Sequence, residues 1–573
     1  MAERKQYWKG LAEFEDKAVV EKMKQNEFPE EIPVEEFLGN AEMLSDSQTS
    51  RRDFLKYLGF STAAATLAAC EAPVVESIPY VVKPDSVMPG VPSYYASAYY
   101  DGHDFASVLV KTREGRPIKM EPNNEAPFNG STNARVQGSV LSLYDNSRLK
   151  KPTKGDKELS LADADAKVKS KLASASNVVL LTHSVISPTY TKMVSEYAGS
   201  NPGLKHVAYD SVSQSGRLDA WEKLSGERAL PNIDLSKAKV IVGIGADFLT
   251  SCNGKSVAKE YAMTREPGKD MSHHVQFETV LSLSGSNADH RVRVKASEQA
   301  QVLLGLYHRI AAATGQPSST KAKLSAALDK EVQKTAKLLL ENKGRSVVLS
   351  GQNDESSELL AAGINKMLGN EGSTVRTDEM VYVRNGDEKA FAQLQADLKA
   401  GKVDVLILDR VNPVYDRPGF EEALKNAAYS VALTDRLDET AVHCSLSVPT
   451  THYLENWSDL RPTSTYLAVA QPVIRPLFKE TRSAEESLMS FFGMSGSYHD
   501  YIKTHWASKL MSQGRSWNRF VHDGYAQLAK PAAPVNGEEG TSDLDPMALM
   551  AEAQRKAAAS EGKGSEIVFY EKA

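Results

Sequence analysis

The chain has 573 residues, 41% hydrophobic and 25% charged, a balance that excludes wholesale disorder and leaves room for about three or four domains. Its 68 basic and 74 acidic residues leave a net charge of −6, with no polybasic block to engage nucleic acid. Three cysteines, Cys70, Cys252 and Cys444, exclude a disulfide scaffold and any cluster or structural zinc site that needs four thiolates from this chain alone.

Residues 1–69 read as an extended leader. Its first part is acidic, carries Trp8 and Phe14 in a helix-like pattern, and reads as a targeting or chaperone-docking extension. Ser50-Arg51-Arg52-Asp53-Phe54-Leu55-Lys56 then matches the twin-arginine export pattern S-R-R-x-F-L-K, with Arg51, Arg52, Phe54, Leu55 and Lys56 as the defining residues. The charge-free run from Tyr57 to Cys70 is too short to cross about 30 Å of hydrocarbon, which takes roughly 20 helical residues. It ends in Leu67-Ala68-Ala69-Cys70, a lipobox, so Cys70 is expected to become the acylated first residue of an exported protein on the outer face of the cytoplasmic membrane.

Residues 70–98, rich in Pro, Val, Tyr and Ser, read as an extended anchor linker, and 99–160 as a β-rich part. Within the latter, Ala106–Thr112 and Arg116–Glu121 form a hairpin about Glu114-Gly115. From residue 161 helices alternate with short apolar strands at Asn177–Thr182, Val240–Gly245, Val275–Val280 and Val292–Val294, then at Ser346–Ser350, Val403–Leu408 and Tyr429–Leu433. The helices fall at Leu161–Ala173, Gln299–Thr314, Lys330–Asn342 and about Glu388–Ala400. This alternation predicts an α/β class with two doubly wound parallel-sheet domains, placed at 161–320 and 321–480. A helical closing segment follows at 481–530, and a linker with a C-terminal strand-like run, Ile567–Tyr570, at 531–573. That run is expected to continue into something further, leading toward a cluster domain, or to pair with something outside this chain.

Chemistry-bearing motifs are sparse. Gly243-Ile244-Gly245 follows a strand, where doubly wound sheets bind ligands, but the full dinucleotide fingerprint is missing and a tight turn is the simpler reading; Gly351-Gln352-Asn353 has the same status. His273 and His274 are adjacent, so a strand would point them to opposite faces. His183, His290, His443 and His452 show no ligand spacing, and Asp289, Asp435, Asp438 and Glu439 read as solvated charges.

Four segments, in order, resemble the molybdopterin oxidoreductases: Gly138–Pro152, Asn412–Pro418, Thr450–Asp459 and Gln471–Leu477. The resemblance spans about 95–510. It implies a pterin-enzyme fold, and the departures from it are equally specific. The stretches where such enzymes hold four cluster cysteines, Ser93–Tyr100 and Gly130–Arg135, contain none. No motif marks a molybdenum ligand, for which Ser211, Ser213 or Ser215 are the positional candidates, and the closing domain of the family has no counterpart. Within the family the combination resembles the B subunits of alternative complex III, a membrane-bound quinol oxidoreductase. The resemblance then implies a cofactor-free scaffold whose partners are an iron–sulfur ferredoxin-like domain or subunit, a multi-haem cytochrome c subunit and integral membrane quinol-binding subunits. Iron–sulfur clusters and c-type haem would reside in those partners, and lipid would be met through acylated Cys70. The alternatives are a catalytic subunit of polysulfide or tetrathionate reductase type, holding molybdopterin guanine dinucleotide near Gly243, Gly245 and the three serines, and a lipid-anchored binding protein without redox chemistry.

Overall fold

The computed structural model describes residues 90–128, 130–251, 257–268, 270–529, 545–560, 562 and 564–569. Its first element is a three-stranded antiparallel sheet of Ser93–Tyr100, Phe105–Arg113 and Arg116–Pro122. The tight turn between the last two has Glu114 at φ 52° and Gly115 at φ 76°, the left-handed pair that matches the strands' own twist. The linker read at 70–98 therefore stops short of Ser93, because Ala96, Ser97 and Ala98 are buried in register with Leu109, Val108 and Ser107.

A seven-stranded sheet follows. Its parallel core runs in spatial order Leu446–Pro449, Tyr429–Thr434, Val405–Asp409, Val178–Thr182, Leu204–Ala208, with the small hairpin Thr153–Lys154 and Lys157–Glu158 on one edge. Val178–Thr182 and Val405–Asp409 are buried at every position, as strands covered on both faces must be. Helix Leu161–Ala173, capped by the Ser160 hydroxyl, and the closing helices Ala484–Phe491, Tyr498–Ser512 and Trp517–Asp523 pack over one face.

The second body is a four-stranded parallel sheet ordered His290–Arg293, His273–Glu278, Val240–Ile244, Ser346–Ser350. Helices Ala296–Thr314, Ala326–Glu341 and Glu355–Met367 cover it. The sequence boundary at 320/321 is thus corrected. Val178–Thr182 pairs with Val405–Asp409, and Val240–Ile244 with Ser346–Ser350, so each sheet draws on both sides of it. The second body is an insertion within the first. Its entry and exit, Leu230–Ile233 and Val375–Val381, pair antiparallel and join a five-stranded sheet with Ser458–Thr463, Tyr466–Ala470 and Tyr525–Gln527. Local periodicity reports strand and helix but not which distant strand completes a sheet.

The tail is also corrected. Pro546–Ala558 is a helix started by Asp545 and Pro546, and its Ala553 and Ala557 are buried in the core of the second body. Residues 565–569 form no strand pair with other described residues.

Candidate functional site at the carboxyl ends of the two parallel sheets

In doubly wound sheets ligands bind beyond the carboxyl ends of the strands, where neighbouring crossovers leave in opposite directions. The strand orders place these crevices beside Gly245 and Gly351 in the second sheet, and beside His183 and Arg410 in the first.

The second crevice is closed by glycine backbone and amide side chains. A Cβ on Gly351 would run into the Gly245 carbonyl, and one on Gly245, at φ 63°, into the Gln299 amide; a Cβ on Gly243 would strike Gln276. The Gly245 N–H donates to the Phe277 carbonyl at 2.7 Å and the Gly351 N–H to that of Ile244 at 3.0 Å. Gln276 donates to the Ala246 carbonyl at 3.0 Å, Gln299 to the Thr279 hydroxyl at 3.0 Å, and Gln352 to Gln299 at 3.1 Å. A pyrophosphate cradle needs free N–H groups and room in front of its glycines. Here both N–H groups are committed and the space is filled, so Gly243 and Gly245 do not fit the dinucleotide end of a pterin cofactor. A cavity of about 30 Å³ bounded by Arg217, Trp221, Ser350 and Glu358 has room for about one water.

The first crevice is closed by charge. Asp409, 1% exposed, accepts the Tyr190 hydroxyl at 2.8 Å and both Nε and Nη2 of Arg410, at 2.8 and 3.1 Å. The same Nη2 donates to buried Glu485 at 2.9 Å. Arg410 holds this geometry from a left-handed backbone, φ 53°. Across the crevice the three-stranded sheet acts as a stopper: the Tyr100 hydroxyl lies 2.7 Å from the Ser184 carbonyl and 2.9 Å from that of Val383, and Gly102 abuts the His183 ring. Burial, with Arg410 nearby, lowers the pKa of His183 below the usual histidine value.

Between the crevices runs the loop bearing Ser211, Ser213 and Ser215, gripped by three arginines. Arg417 donates to the carbonyls of Asp210 and Ser211, at 2.7 and 3.3 Å; Arg384, 3% exposed, reaches the Val212 carbonyl at 3.5 Å; Arg228 donates to the Ser215 hydroxyl at 2.8 Å. The Ser213 hydroxyl accepts the Ser215 N–H at 3.1 Å. Ser213 and Ser215 thereby serve the loop's own structure. Sequence gave no sign of the arginine clamp, because its members are far apart in the chain. The Asp409-Arg410 pair, by contrast, could have been flagged by its position just past a buried strand.

The other singled-out residues are structural. His273 is exposed and His274 fully buried, on opposite faces of their strand. Asp289 and Asp438 are not simply solvated: Asp289 forms a two-pronged pair with Arg265, and Asp438 accepts the N–H groups of Thr440 and Ala441. His290 pairs with Glu331 at 2.8 Å. Cys444 is half-buried, its thiol donating to the Thr440 carbonyl, and burial pushes its pKa up to about 12. Arg51, Arg52, Phe54, Leu55, Lys56, Cys70 and Cys252 lie outside the described residues. Among the described residues no three His, Cys, Asp or Glu side chains converge as a metal site.

Three of the four family-like segments meet at one buried carboxylate. Glu455 receives Arg148 Nη2 at 2.6 Å, the His452 N–H at 2.7 Å and the Leu477 N–H at 2.9 Å, with both ionic side chains at most 1% exposed. In the fourth segment, Asn412 bonds to Thr440 and Glu439. Asp459 accepts from Ser187, Thr189 and Trp506. These segments fasten loops to sheets.

The two parallel bodies have the molybdopterin-enzyme fold. Acetylene hydratase from Pelobacter acetylenicus superposes with a TM-score of 0.56 at 10% identity, over 76% of this chain and 74% of that one. In sequence, the chain is 23% identical over 547 residues to the menaquinone reductase, molybdopterin-binding-like subunit of Nitratidesulfovibrio vulgaris, covering 85% of this chain and 78% of that protein. No protein-family profile matches.

Proposed function

We propose that this chain is a molybdopterin-like subunit of a respiratory, quinone-linked membrane complex, that it holds neither pterin nor metal, and that it serves as a scaffold for the electron-carrying parts. The similarity to a menaquinone reductase subunit supports the quinone-linked setting. The observation that carries the scaffold reading is the closure of both ligand crevices by the chain's own side chains, Gln276 and Gln299 at one, Asp409, Arg410 and Glu485 at the other. The finer assignment is to alternative complex III, with iron–sulfur, multi-haem cytochrome c and membrane quinol-binding partners. Export through Arg51-Arg52 and anchoring through acylated Cys70 would hold the chain at the periplasmic face of the membrane.

Elemental analysis of the purified full chain tests the scaffold reading. The expected molybdenum and iron contents are below about 0.1 atom per chain, since a four-iron cluster needs about four thiolates. One molybdenum per chain would promote the catalytic alternative. Mass spectrometry of the mature chain from native membranes tests the anchor: an unmodified Cys70 thiol would rule acylation out.

A further inference from the structure

We infer that the loops following two strands of the first sheet, which carry Tyr415, Leu437 and Val442, form a docking face for a partner protein that is apolar at the centre of its contact and rich in lysine and arginine around it. This rests on the reading of the chain as a subunit of a complex.

Three neighbouring segments build the face. The loop after Val405–Asp409 leads into the short helix Pro413–Asp416, and residues 435–443 follow Tyr429–Thr434. Asn412 ties the two together. Its side-chain oxygen accepts the Thr440 N–H at 3.1 Å and the Thr440 hydroxyl at 2.7 Å, and its amide donates to Glu439 at 2.6 Å. The Thr440 hydroxyl accepts the Val414 N–H at 3.0 Å. On the other side, the Leu149 N–H donates to the Asp435 carbonyl at 2.7 Å and Arg436 pairs with Asp145 at 3.3 Å, which brings Tyr144 alongside. These loops are held by their own hydrogen bonds, yet Tyr415 is 74%, Val442 58%, Leu437 49% and Tyr144 45% exposed. Leu141, on the helix just before Tyr144, is 71% exposed. Single apolar side chains on a surface are ordinary, but a contiguous group of them marks an interaction site.

The charges around the group decide what fits it. Segments 412–425 and 435–443 carry six carboxylates against Arg417, Lys425 and Arg436. Each of these cations is already paired: Arg417 with Glu388 at 2.8 Å, Lys425 with Glu421 at 2.6 Å and Arg436 with Asp435 at 3.1 Å. Among the described residues, Glu422, Asp438 and Glu439 form no ion pair, and Arg116, beside Tyr144, stands at the far edge. The face is therefore apolar with an acidic rim.

That rim discriminates among occupants. A second copy of this chain, docked about a two-fold axis, would set carboxylates against carboxylates. Anionic lipid headgroups would be repelled in the same way. The chain's own residues 1–69, with 13 acidic and 9 basic side chains, carry the wrong sign as well. A protein with a basic rim gains at both places: apolar contact at the centre, and charge complementarity around it that steers the encounter.

The test uses the full chain in native membranes, with a photo-reactive phenylalanine analogue at Tyr415. The expected adduct is with a protein that remains in the detergent-purified complex, through a surface with more Lys and Arg than Asp and Glu. Leu437→Ser with Val442→Ser should lower the adduct yield about tenfold, the effect of losing central apolar anchors. Glu422→Lys with Glu439→Gln, which keeps an oxygen for the Asn412 amide, should lower the yield and weaken its dependence on salt between about 0.05 and 0.5 M. The substituted side chains are exposed, so both variants should unfold thermally with the parent. Adducts with lipid only, with a second copy or with residues 1–69, a partner surface that is acidic, no adduct at all, or full yield from both variants would each overturn the docking face. Those outcomes would leave the subunit reading intact; a parent chain that purifies without other subunits would remove that reading itself.

Discussion

The two crevices stand at the same topological position in two sheets of one chain, yet opposite chemistries close them. At the first, Asp409, Arg410 and Glu485 neutralise one another beneath the stopper formed by Tyr100 and Gly102. At the second, Gly245 and Gly351 lie backbone to backbone with the Gln276 and Gln299 amides against the glycines. A crevice adapted to an anionic cofactor needs free donors and space. One of these has lost its free charge to internal pairing, the other its space. Two unrelated closures on one molecule are what the proposed scaffold role, a body kept for its shape, would require.

The largest effect should come from the charged closure. Arg410→Met leaves Asp409 and Glu485, whose side chains are 2% and 4% exposed, without their shared cation. Removing one partner of a buried pair typically costs about 3–5 kcal/mol; the low end applies because the guanidinium is itself 36% exposed. Denaturant unfolding of the full chain measures it. Converting all three, with Asp409→Asn and Glu485→Gln added, should recover most of the loss, because the neutral set buries no charge. If Arg410→Met unfolds at the parent's midpoint, charge does not close this crevice.

The neutral closure should break by volume. Gly351→Ala forces a methyl against the Gly245 carbonyl, a backbone atom that cannot swing away, and overpacking of this kind costs about 1–3 kcal/mol. Gly243→Ala meets the far end of the Gln276 side chain instead, so it should cost less, and Gln276→Ala in the same chain should relieve it. Equal costs for the two glycine variants, or no coupling to Gln276, would show that the loops do not pack as described. Pterin binding by the parent chain would count against closure of this crevice.

Much of the local structure was legible in the sequence. Helix Leu161–Ala173 lies between the expected bounds, because Ser160 caps it and the buried positions Ala164, Val168 and Leu172 recur with a helical period. The Glu114-Gly115 turn was equally clear. The insertion topology was not, since Val178–Thr182 and Val405–Asp409 carry the same kind of apolar run as Val240–Ile244 and nothing local distinguishes which will pair. Helix Pro546–Ala558 was read as linker despite Asp545 and Pro546, a start signal overshadowed by the Pro- and Gly-rich stretch before it. The glycines of the second crevice were visible as a possible phosphate loop. What fills the space in front of them, Gln276 and Gln299, comes from elsewhere in the chain and emerges only from the fold.

Acidification should separate the two bodies by the smallest effect. In the second, His274 is fully buried, with its ring nitrogens near the Tyr261 hydroxyl at 3.1 Å and Gln276 at 3.1 Å; Arg265, Asp289 and Glu278 are the charged neighbours. Burial lowers its pKa from 6.5 to about 4. His183 in the first crevice is lowered too, by burial and then by Arg410. For both, the unfolded chain binds the proton before the folded chain does, so stability rises with pH wherever the two states differ. The contribution is fully present above pH 6.5 and, for His274, is lost as pH falls through about 4. His274→Asn should flatten the stability–pH curve between those limits by about one proton's worth of slope while leaving the plateau above pH 7 governed by the hydrogen bonds it loses. In the Arg410→Met chain, His183 retains its burial but not its cationic neighbour, so its share of the acid limb should shrink. Urea midpoints measured from pH 4 to pH 8 on the parent and the two variants decide the matter: an unchanged slope in His274→Asn would mean that this histidine already carries its proton in the folded protein.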